Sequence, residues 1–303
     1  MCISLTVVIP THGRPQLLER TLQSIAGCEL PDGYEELVVI ENGSRVGVER
    51  LVERLPGRLN ARYMHRERGN KSYALNEALD TIDDGLVVFF DDDVKVHPST
   101  LSAYQEAAVE EESEAYFGGP VRVIREEDPP EWLVPFLPYS AKGYDLENDR
   151  MWNEYLGFNW AAYLEDLVAL RGFDMRFGPG SPLGASGQES DMQQRMLDKG
   201  MKGRDVPGAL VWHYVPESRC NPEWVLRRTF RDGVRDGIRK GKANEVIKAI
   251  GALAKYLVRW LFYEANLKER EVFRSKVAAN GNSGFIKGAT GWSTDFLGFR
   301  VQE

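Results

Sequence analysis

The chain has 303 residues, of which 43% are hydrophobic and 28% charged, as in an ordinary globular protein that holds one large domain or one domain with an appendage. Its apolar runs are shorter than the roughly 18 residues of a membrane-spanning helix, and its N-terminus lacks the basic start of a signal peptide. The three cysteines, Cys2, Cys28 and Cys220, are widely scattered and have no metal-type spacing, which favours a cytoplasmic, reduced protein.

The net charge of -8 is unevenly distributed along the chain. Residues 1–194 contain 17 Lys and Arg against 34 Asp and Glu, whereas residues 195–303 contain 21 against 12. An acidic part suits a metal site, and a basic C-terminal part suits an anionic surface or a phosphate-bearing partner; solvated basic helix faces are the alternative. Nucleic-acid binding is not expected, because the N-terminal part is acidic and lacks a basic groove motif.

Strands and helices are predicted to alternate along the first third of the chain. The β-branched run at 3–9 predicts a buried strand, and further strands are predicted at 37–40, around Tyr63 and at 86–90. Helices are predicted directly after the first strand and at 70–79. This alternation predicts an α/β fold with a mostly parallel sheet flanked by helices, in which ligands bind beyond the carboxyl ends of the strands.

The second half of the chain is less regular. A strand is predicted at 116–124, a loop-rich stretch at 128–152, a helix at 187–199 and a strand at 209–213. From residue 222 the pattern predicts mostly helix, followed by a loosely structured tail at 280–303.

Three consecutive aspartates, Asp91, Asp92 and Asp93, follow the predicted strand at 86–90. Carboxylates at alternate positions beyond a strand can converge on one Mg²⁺ or Mn²⁺, which retains waters and takes phosphate oxygens from a substrate. An acidic turn or helix cap is the alternative, but such a turn does not need three mutually repelling charges. The cluster therefore predicts a metal site.

An ordered set of motifs resembles family 2 glycosyltransferases with the GT-A fold. The motifs of the N-terminal half are VVIPTHGRPQLLERTLQSI, LVVIENGS, GNKSYALNEAL and VVFFDDDV. NWAAYLEDLVALRGFD, GQESDMQQRML and a lone His213 continue the set, so that the resemblance covers residues 3–215.

The resemblance implies a Rossmann-like GT-A catalytic domain at 1–220, with a helical region at 221–279 and a tail at 280–303. Such an enzyme moves a sugar from a nucleoside-diphosphate sugar, commonly UDP-linked, to a hydroxyl of a saccharide or lipid-linked acceptor in polysaccharide or glycolipid assembly. The expected cofactor is Mn²⁺ or Mg²⁺.

The resemblance also implies a set of residues that bind the donor near the strand ends. They are Pro10, Thr11, Arg14, Glu41, Asn70, Lys71, Asn76, Asp91 and Asp92. Glu41 stands where an acidic residue usually meets the base, and Asn70, Lys71 and Asn76 border the ribose and phosphates.

The implied metal ligands are Asp91 and Asp93 of the DxD motif together with His213. Asp93 is expected to bind the metal directly, and Asp91 or Asp92 to contact the ribose or a metal-bound water. A neutral imidazole would suit the role of His213, for which a structural histidine at a strand end is the alternative.

The segment Gln188–Glu189–Ser190–Asp191 departs from the common family pattern, in which Glu-Asp is followed by one residue and then Asp. Aligned on Asp191 and Arg195, Glu189 takes the place of the usual catalytic aspartate. Inverting transfer needs a carboxylate that accepts the proton of the acceptor hydroxyl while its oxygen attacks the anomeric carbon. Glu189 is therefore predicted as the base and Asp191 as the second candidate; an ordinary first-turn helix acid is the alternative for Glu189.

The C-terminal helical region carries both apolar and basic side chains. Apolar residues repeat at helical spacing between 246 and 261, while Lys248, Lys255 and Arg259 occupy other faces. This pattern predicts a helix that lies peripherally on the inner face of an anionic membrane. A helix packed on the catalytic domain or a homodimer contact is the alternative.

Two other functions and two local roles are also considered. A nucleotidyltransferase would want a glycine-rich loop, but residues 11–14 contain one glycine; a non-catalytic binding or scaffold protein would not need Asp91, Asp93 and Glu189. The glycine-rich loop at 178–184 is expected to pass over the acceptor, with a simple tight connection as the alternative. Three tryptophans are candidates for stacking on sugar rings, with core packing as the alternative: Trp132, Trp152 and Trp160.

Overall fold

The structure is a computed structural model that describes residues 3–111, 114–147 and 154–292. The chain forms two compact units, each assembled from three segments. The first comprises Met1–Glu126, Tyr139–Met175 and Gln188–Val215, and the second comprises Glu127–Pro138, Arg176–Gly187 and Pro216–Glu303.

The first unit is built on a seven-stranded sheet. Its strands in chain order are β1 (Leu5–Thr11), β2 (Tyr34–Asn42), β3 (Ala61–Arg66), β4 (Leu86–Phe89), β6 (Ala115–Gly118), β8 (Trp160–Tyr163) and β9 (Lys202–Asp205). Their spatial order is β3-β2-β1-β4-β8-β6-β9, in which β8 runs antiparallel to β4 and β6 while the other pairs are parallel. All seven residues of β1 are buried, as its apolar run predicts.

Helices connect and flank these strands. They are α1 (Pro15–Ile25), α2 (Val48–Glu53), α3 (Lys71–Leu79), α4 (Thr100–Glu110), α5 (Tyr139–Lys142), α6 (Leu164–Ala169) and α7 (Gln188–Asp198). Pro15 suits the first turn of α1, where its missing N–H has no helical partner. Asn70 caps α3 by accepting a hydrogen bond from the backbone N–H of Tyr73 at 2.8 Å.

A second sheet of three strands contains β5 (Val94–Val96), β10 (Val211–Val215) and β7 (Val121–Arg125). The single strand predicted at 116–124 is therefore wrong, because β6 and β7 belong to different sheets. Gly119 and Pro120 separate them: an added Cβ at Gly119 would lie 1.9 Å from the Ala209 carbonyl oxygen, and Pro120 has no N–H to donate to a ladder.

The second unit contains the long helices α8 (Pro222–Lys240), α9 (Ala243–Ala265) and α10 (Glu269–Thr290). The predicted tail is wrong for residues 280–290, which belong to α10; residues 293–303 lie outside the described residues. The segment 280–284 is rich in glycine, asparagine and serine, which are weak helix formers, and tertiary packing overrides that preference. The helix ends at Gly291, whose φ of +73° suits a glycine cap.

Helices α8 and α10 approach each other closely enough for their backbones to touch. An added Cβ at Gly237 would lie 2.1 Å from the Phe285 carbonyl oxygen, and one at Gly284 would lie 2.0 Å from that of Phe230. Glycine is therefore required on both helices. Within the described ranges, no helix combines the length and the apolar character needed to cross a bilayer.

The two shorter segments of the second unit pack against its helices. The rings of Trp132 and Phe136 meet Phe273 of α10 edge-on, with centroids 5.3 and 5.0 Å apart. Phe177 and Ala185 form a buried cluster with Val234 of α8. The second unit therefore takes two segments from the domain predicted at 1–220, since their apolar side chains find partners on α8 and α10.

The glycine-rich loop at 178–184 belongs to one of these segments. The Arg231 Nε donates to the Gly184 carbonyl oxygen at 3.1 Å, and Ser186 donates to Asp232. The loop is thus tied to α8, and its expected passage over an acceptor stays a prediction.

Candidate active site

The central strands of the first unit bring Asp92 and Thr11 together. Strands β1 and β4 are neighbours, and Thr11 ends β1 while the aspartates follow β4. The Thr11 hydroxyl donates to Asp92 Oδ2 at 2.7 Å, and the Arg14 guanidinium forms ion pairs with Asp92 and, at 2.9 Å, with Asp93. Asp92 has no exposed surface, so in this structure it holds Thr11 and Arg14 in place.

Two cations, Arg14 and Lys71, offset part of the negative charge of the three aspartates. Burial raises the pKa of Asp92 to about 6, although the Arg14 charge and the Thr11 hydrogen bond oppose the shift. Burial lowers the pKa of Arg14, but Asp92, Asp93 and Asp91 outweigh it and the net shift is upward. Arg14 therefore stays charged beside the carboxylates, and Lys71 provides the second cation through its ion pair with Asp91.

The pairing of β5 with β10 places His213 beside Asp93. Strand β5 begins directly after Asp93 and runs antiparallel to β10, with Val94 opposite His213. The two side chains are almost wholly buried, and His213 Nε2 lies 3.4 Å from Asp93 Oδ1.

The other side of the His213 ring fixes its tautomer. Nδ1 lies 2.6 Å from the Ser140 carbonyl oxygen, which only accepts, so Nδ1 carries a hydrogen. In the neutral imidazole, the lone pair of Nε2 then faces Asp93. Phe158 stacks on the ring with centroids 4.5 Å apart and restrains its orientation.

The side chains of Asp93 and His213 are suited to bind a divalent metal that also binds a substrate phosphate. Among the described residues, no group of three or more His, Cys, Asp or Glu side chains is suited to hold a metal ion. Mg²⁺ and similar cations often use one or two protein ligands and complete their shell with water and substrate oxygens. The Asp93 carboxylate and the Nε2 of His213 can serve as these two protein ligands. The hydrogen bond from Nδ1 of His213 to the Ser140 carbonyl oxygen fixes the orientation of Nε2.

The two acidic regions that the sequence singles out meet in one cavity. Asp91, Lys71 and Glu189 line one narrow cavity at the carboxyl end of β4. Its other lining residues are Pro10, Leu75, Phe89, Phe90, Gly157, Trp160, Phe173 and Gln188. Burial lowers the pKa of Lys71, but the negative charges of Asp91 and Glu189 outweigh this effect and the net shift is upward. Both carboxylates therefore stabilise the charged ammonium.

The structure assigns different surroundings to the two candidate bases. Glu189 lies in the first turn of α7 and lines the cavity. Asp191 is buried and accepts from the Arg195 Nε at 2.8 Å. The same guanidinium donates to the carbonyl oxygens of Leu170 at 2.6 Å and Gly172 at 2.9 Å. Asp191 thus helps to anchor α7 to the segment after α6, whereas Glu189 lines the cavity, and the role of either residue as the base stays a prediction.

Several residues that were predicted to bind the sugar donor form hydrogen bonds with the protein backbone in this structure. Glu41 is fully buried and accepts from the Val46 N–H at 2.8 Å and from the Tyr63 hydroxyl at 2.5 Å. The side-chain oxygen of Asn76 accepts a hydrogen bond from the Phe173 N–H at 2.7 Å, and its side-chain nitrogen donates to the Phe173 carbonyl oxygen at 2.8 Å. Asn70 caps α3, the helix that begins with Lys71. Direct contact of Glu41, Asn70, Asn76 and Asp92 with a donor stays a prediction.

Some residues of the site were not predicted from the sequence. Gly157 lies against Glu189, and an added Cβ there would lie 2.5 Å from Glu189 Cδ. Gly157 and Phe158 directly precede the motif that begins NWAAY, which could have drawn attention to them. Ser140 contributes a backbone carbonyl, and no sequence pattern announces such a contact.

The tryptophans considered for sugar stacking have other surroundings. Trp160 is 1% exposed, and its ring stacks on Phe89 with centroids 4.8 Å apart. Trp132 meets Phe273 in the second unit. Core packing therefore accounts for Trp160. Trp132 is 42% exposed, so its stacking on a sugar ring stays a prediction, and Trp152 lies outside the described residues.

Comparison of the sequence with known proteins gives two matches. The model of the family described as Glycosyl transferase family 2 matches residues 6–163, which is more than half of the chain. The succinoglycan biosynthesis protein ExoM of Rhizobium meliloti (strain 1021) is 28% identical over 243 residues, covering 78% of this chain and 74% of that protein.

Solved structures share the fold at low sequence identity. The mannosyltransferase PcManGT from Pyrobaculum calidifontis, in complex with GDP-Man and Mn²⁺, has a TM-score of 0.62 and 21% identity, covering 96% of this chain and 88% of that chain. GalNAc-T7 with UDP, GalNAc and Mn²⁺ has a TM-score of 0.54 and 15% identity, covering 78% and 51%. These likenesses confirm the predicted GT-A fold.

Proposed function

The chain belongs to glycosyl transferase family 2, and on that premise we propose that it is an inverting, metal-dependent enzyme that uses a nucleoside-diphosphate sugar. The family match confirms the predicted enzyme class, so the nucleotidyltransferase and scaffold alternatives are not retained. We propose a UDP-linked donor and a hydroxyl acceptor on a saccharide or lipid-linked saccharide. The observation that carries the proposal is that Asp91, Lys71 and Glu189 line one cavity.

Two sets of residues would have separate tasks on the donor side. Asp93 and the Nε2 of His213 would hold Mn²⁺ or Mg²⁺, which supplies positive charge to the diphosphate and stabilises it as a leaving group. Arg14 fixes the Asp93 carboxylate, and Lys71 fixes that of Asp91. These ion pairs restrain the orientation of the two carboxylates.

Glu189 would act on the acceptor side of the cavity. Its carboxylate accepts the proton of the acceptor hydroxyl while that oxygen forms a bond to the anomeric carbon. The bond between the anomeric carbon and the phosphate oxygen breaks, and its electron pair leaves with the diphosphate. Attack from the face opposite the leaving group inverts the anomeric configuration.

The relatives support the wider context of this proposal. ExoM is a succinoglycan biosynthesis protein, which supports polysaccharide or glycolipid assembly as the pathway class. PcManGT was solved with GDP-Man and Mn²⁺, and GalNAc-T7 with UDP, GalNAc and Mn²⁺, which supports a nucleotide-linked donor and a divalent metal. The cytoplasmic location stays a prediction.

The proposal is tested by separating donor binding from transfer. Calorimetry with UDP-sugars and GDP-sugars, with and without Mn²⁺, should show metal-dependent binding that Asp93→Ala weakens by more than about tenfold. Glu189→Gln should keep donor affinity within about twofold and reduce transfer by roughly 10²–10⁴, because it removes the proton acceptor alone.

Matched controls are available in the first unit. Asp83→Ala and Glu165→Gln remove exposed carboxylates outside the cavity and should behave as the parent protein. Normal turnover by Glu189→Gln would assign the base to another residue. A product with retained anomeric configuration, seen by NMR, would contradict the inverting mechanism.

A further inference from the structure

Helix α9 exposes a continuous apolar face. The exposed side chains that form this α9 stripe follow one another at helical spacing and are Ile247, Ile250, Ala254, Val258, Leu261 and Phe262. The five large ones are between 53% and 70% exposed. An apolar row of this length on a protein surface indicates a binding site, since isolated exposed apolar residues are common but contiguous ones are not.

The opposite face of α9 already has its partner. The helix packs along α10, and its buried residue Ala249 lies on the face away from the stripe. The Lys276 ammonium of α10 lies 4.7 Å from the centre of the Trp260 ring. Because α9 already packs against α10 through this face, the α9 stripe is not the face that joins α9 to the second unit.

The charges beside the stripe indicate the chemistry of its occupant. Lys248, Lys255 and Arg259 are exposed along one edge of the stripe. Glu245 pairs with Lys248 at 2.8 Å, and Glu264 is exposed near the C-terminal end of the helix. Three basic residues that recur at helical spacing beside an apolar row complement an apolar phase covered by anionic groups.

We propose that α9 lies in the headgroup region of an anionic lipid bilayer, with the stripe directed into the acyl boundary and the basic edge at the phosphates. The helix lies on such a surface and does not cross it, because no described helix is long and apolar enough to span a bilayer. The proposal does not depend on the donor chemistry, and it would place the enzyme where a lipid-linked acceptor is found.

Sedimentation with lipid vesicles tests this proposal on the full chain. The parent protein should bind vesicles that contain phosphatidylglycerol at low salt and bind pure phosphatidylcholine vesicles weakly. The double variant Val258→Ser/Leu261→Ser should bind the anionic vesicles about 10- to 100-fold more weakly, because it removes two apolar side chains from the interface. The matched control is Val109→Ser/Val168→Ser, which changes exposed valines outside α9 and should bind as the parent does.

A second variant tests the basic edge. The triple change Lys248→Gln/Lys255→Gln/Arg259→Gln should lose about tenfold or more of the affinity for anionic vesicles and keep the weak binding to phosphatidylcholine. Absence of vesicle binding by the parent protein at low salt, or equal binding by the Val258→Ser/Leu261→Ser variant, would overturn the proposal.

The same variants distinguish a lipid surface from a second copy of the chain. If the stripe joins two copies, analytical ultracentrifugation will show a dimer that Val258→Ser/Leu261→Ser converts to a monomer, without vesicle binding. That outcome also overturns the proposal. Metal-dependent donor binding, measured without vesicles, reports on the proposed transferase site separately.

Discussion

At the scale of single residues, Glu189 packs directly against Gly157, which has no side chain. An added Cβ at Gly157 would lie 2.5 Å from Glu189 Cδ, well inside van der Waals contact. The Glu189 side chain would have to move to accommodate it, and the cavity wall would change with it.

Gly157→Ala is therefore expected to lower transfer by about 10- to 100-fold, because a base displaced by about 1 Å loses its alignment with the acceptor. Initial rates and donor affinity should be measured together, and donor affinity should change far less than the rate. Gly57→Ala is the matched control, since an added Cβ there meets nothing within 4 Å. An unchanged rate in Gly157→Ala would show that Glu189 does not need its present position.

The sequence singled out the acidic residues of the candidate site, as well as Arg14 and Lys71 that pair with them, but not the backbone group that orients His213. Asp91 to Asp93 and Glu189 lie in motifs whose order carries the family resemblance, and Asp91 and Glu189 share one cavity. The backbone carbonyl of Ser140 that orients His213 belongs to the short helix α5, within a stretch that the sequence predicted to be rich in loops. A contact through a backbone atom leaves no preference for a residue type, so one sequence cannot reveal it.

At the scale of elements, α8 and α10 depend on glycine for their close approach. Gly237→Ala should gain about 1 kcal/mol of helix propensity but place its Cβ 2.1 Å from a backbone oxygen that cannot move independently. Overpacking of this kind costs about 1–3 kcal/mol or more, so we expect a net loss in the free energy of unfolding. Chemical denaturation followed by circular dichroism measures it.

Gly251→Ala in α9 provides the comparison. Nothing lies within 4 Å of an added Cβ at Gly251, so the helix propensity of alanine should stabilise the protein by up to about 1 kcal/mol. Equal effects of the two substitutions would contradict the close approach of α8 and α10.

The elements that the sequence predicted well are those with strong local patterns. The β-branched run gives β1, and the helix predicted directly after it is α1. The C-terminal part of α10 failed because its glycine, asparagine and serine residues disfavour a helix locally, and only contact with α8 explains them. The break between β6 and β7 was missed because both flanking segments favour strands.

At the scale of the whole molecule, the second unit is discontinuous in sequence. Trp132 and Phe136 depend on Phe273, and Phe177 depends on Val234, although the partners are far apart along the chain. A chain that ends at Val215 would keep the segments 127–138 and 176–187 but lose the helices that cover them.

Such a truncated chain is expected to aggregate or to bind a hydrophobic dye, because these apolar side chains would be exposed to water. Size-exclusion chromatography and dye fluorescence measure the outcome against the full chain. A monodisperse truncated protein with the donor affinity of the full chain would show that the second unit is dispensable for the fold of the first.

The contact between α8 and α10 also bears on how the second unit responds to cold. Backbones in direct contact attract one another by dispersion, which does not weaken on cooling as the release of water from apolar side chains does. On cooling, we therefore expect the contact between α8 and α10 to lose less of its stabilising free energy than a core of apolar side chains loses.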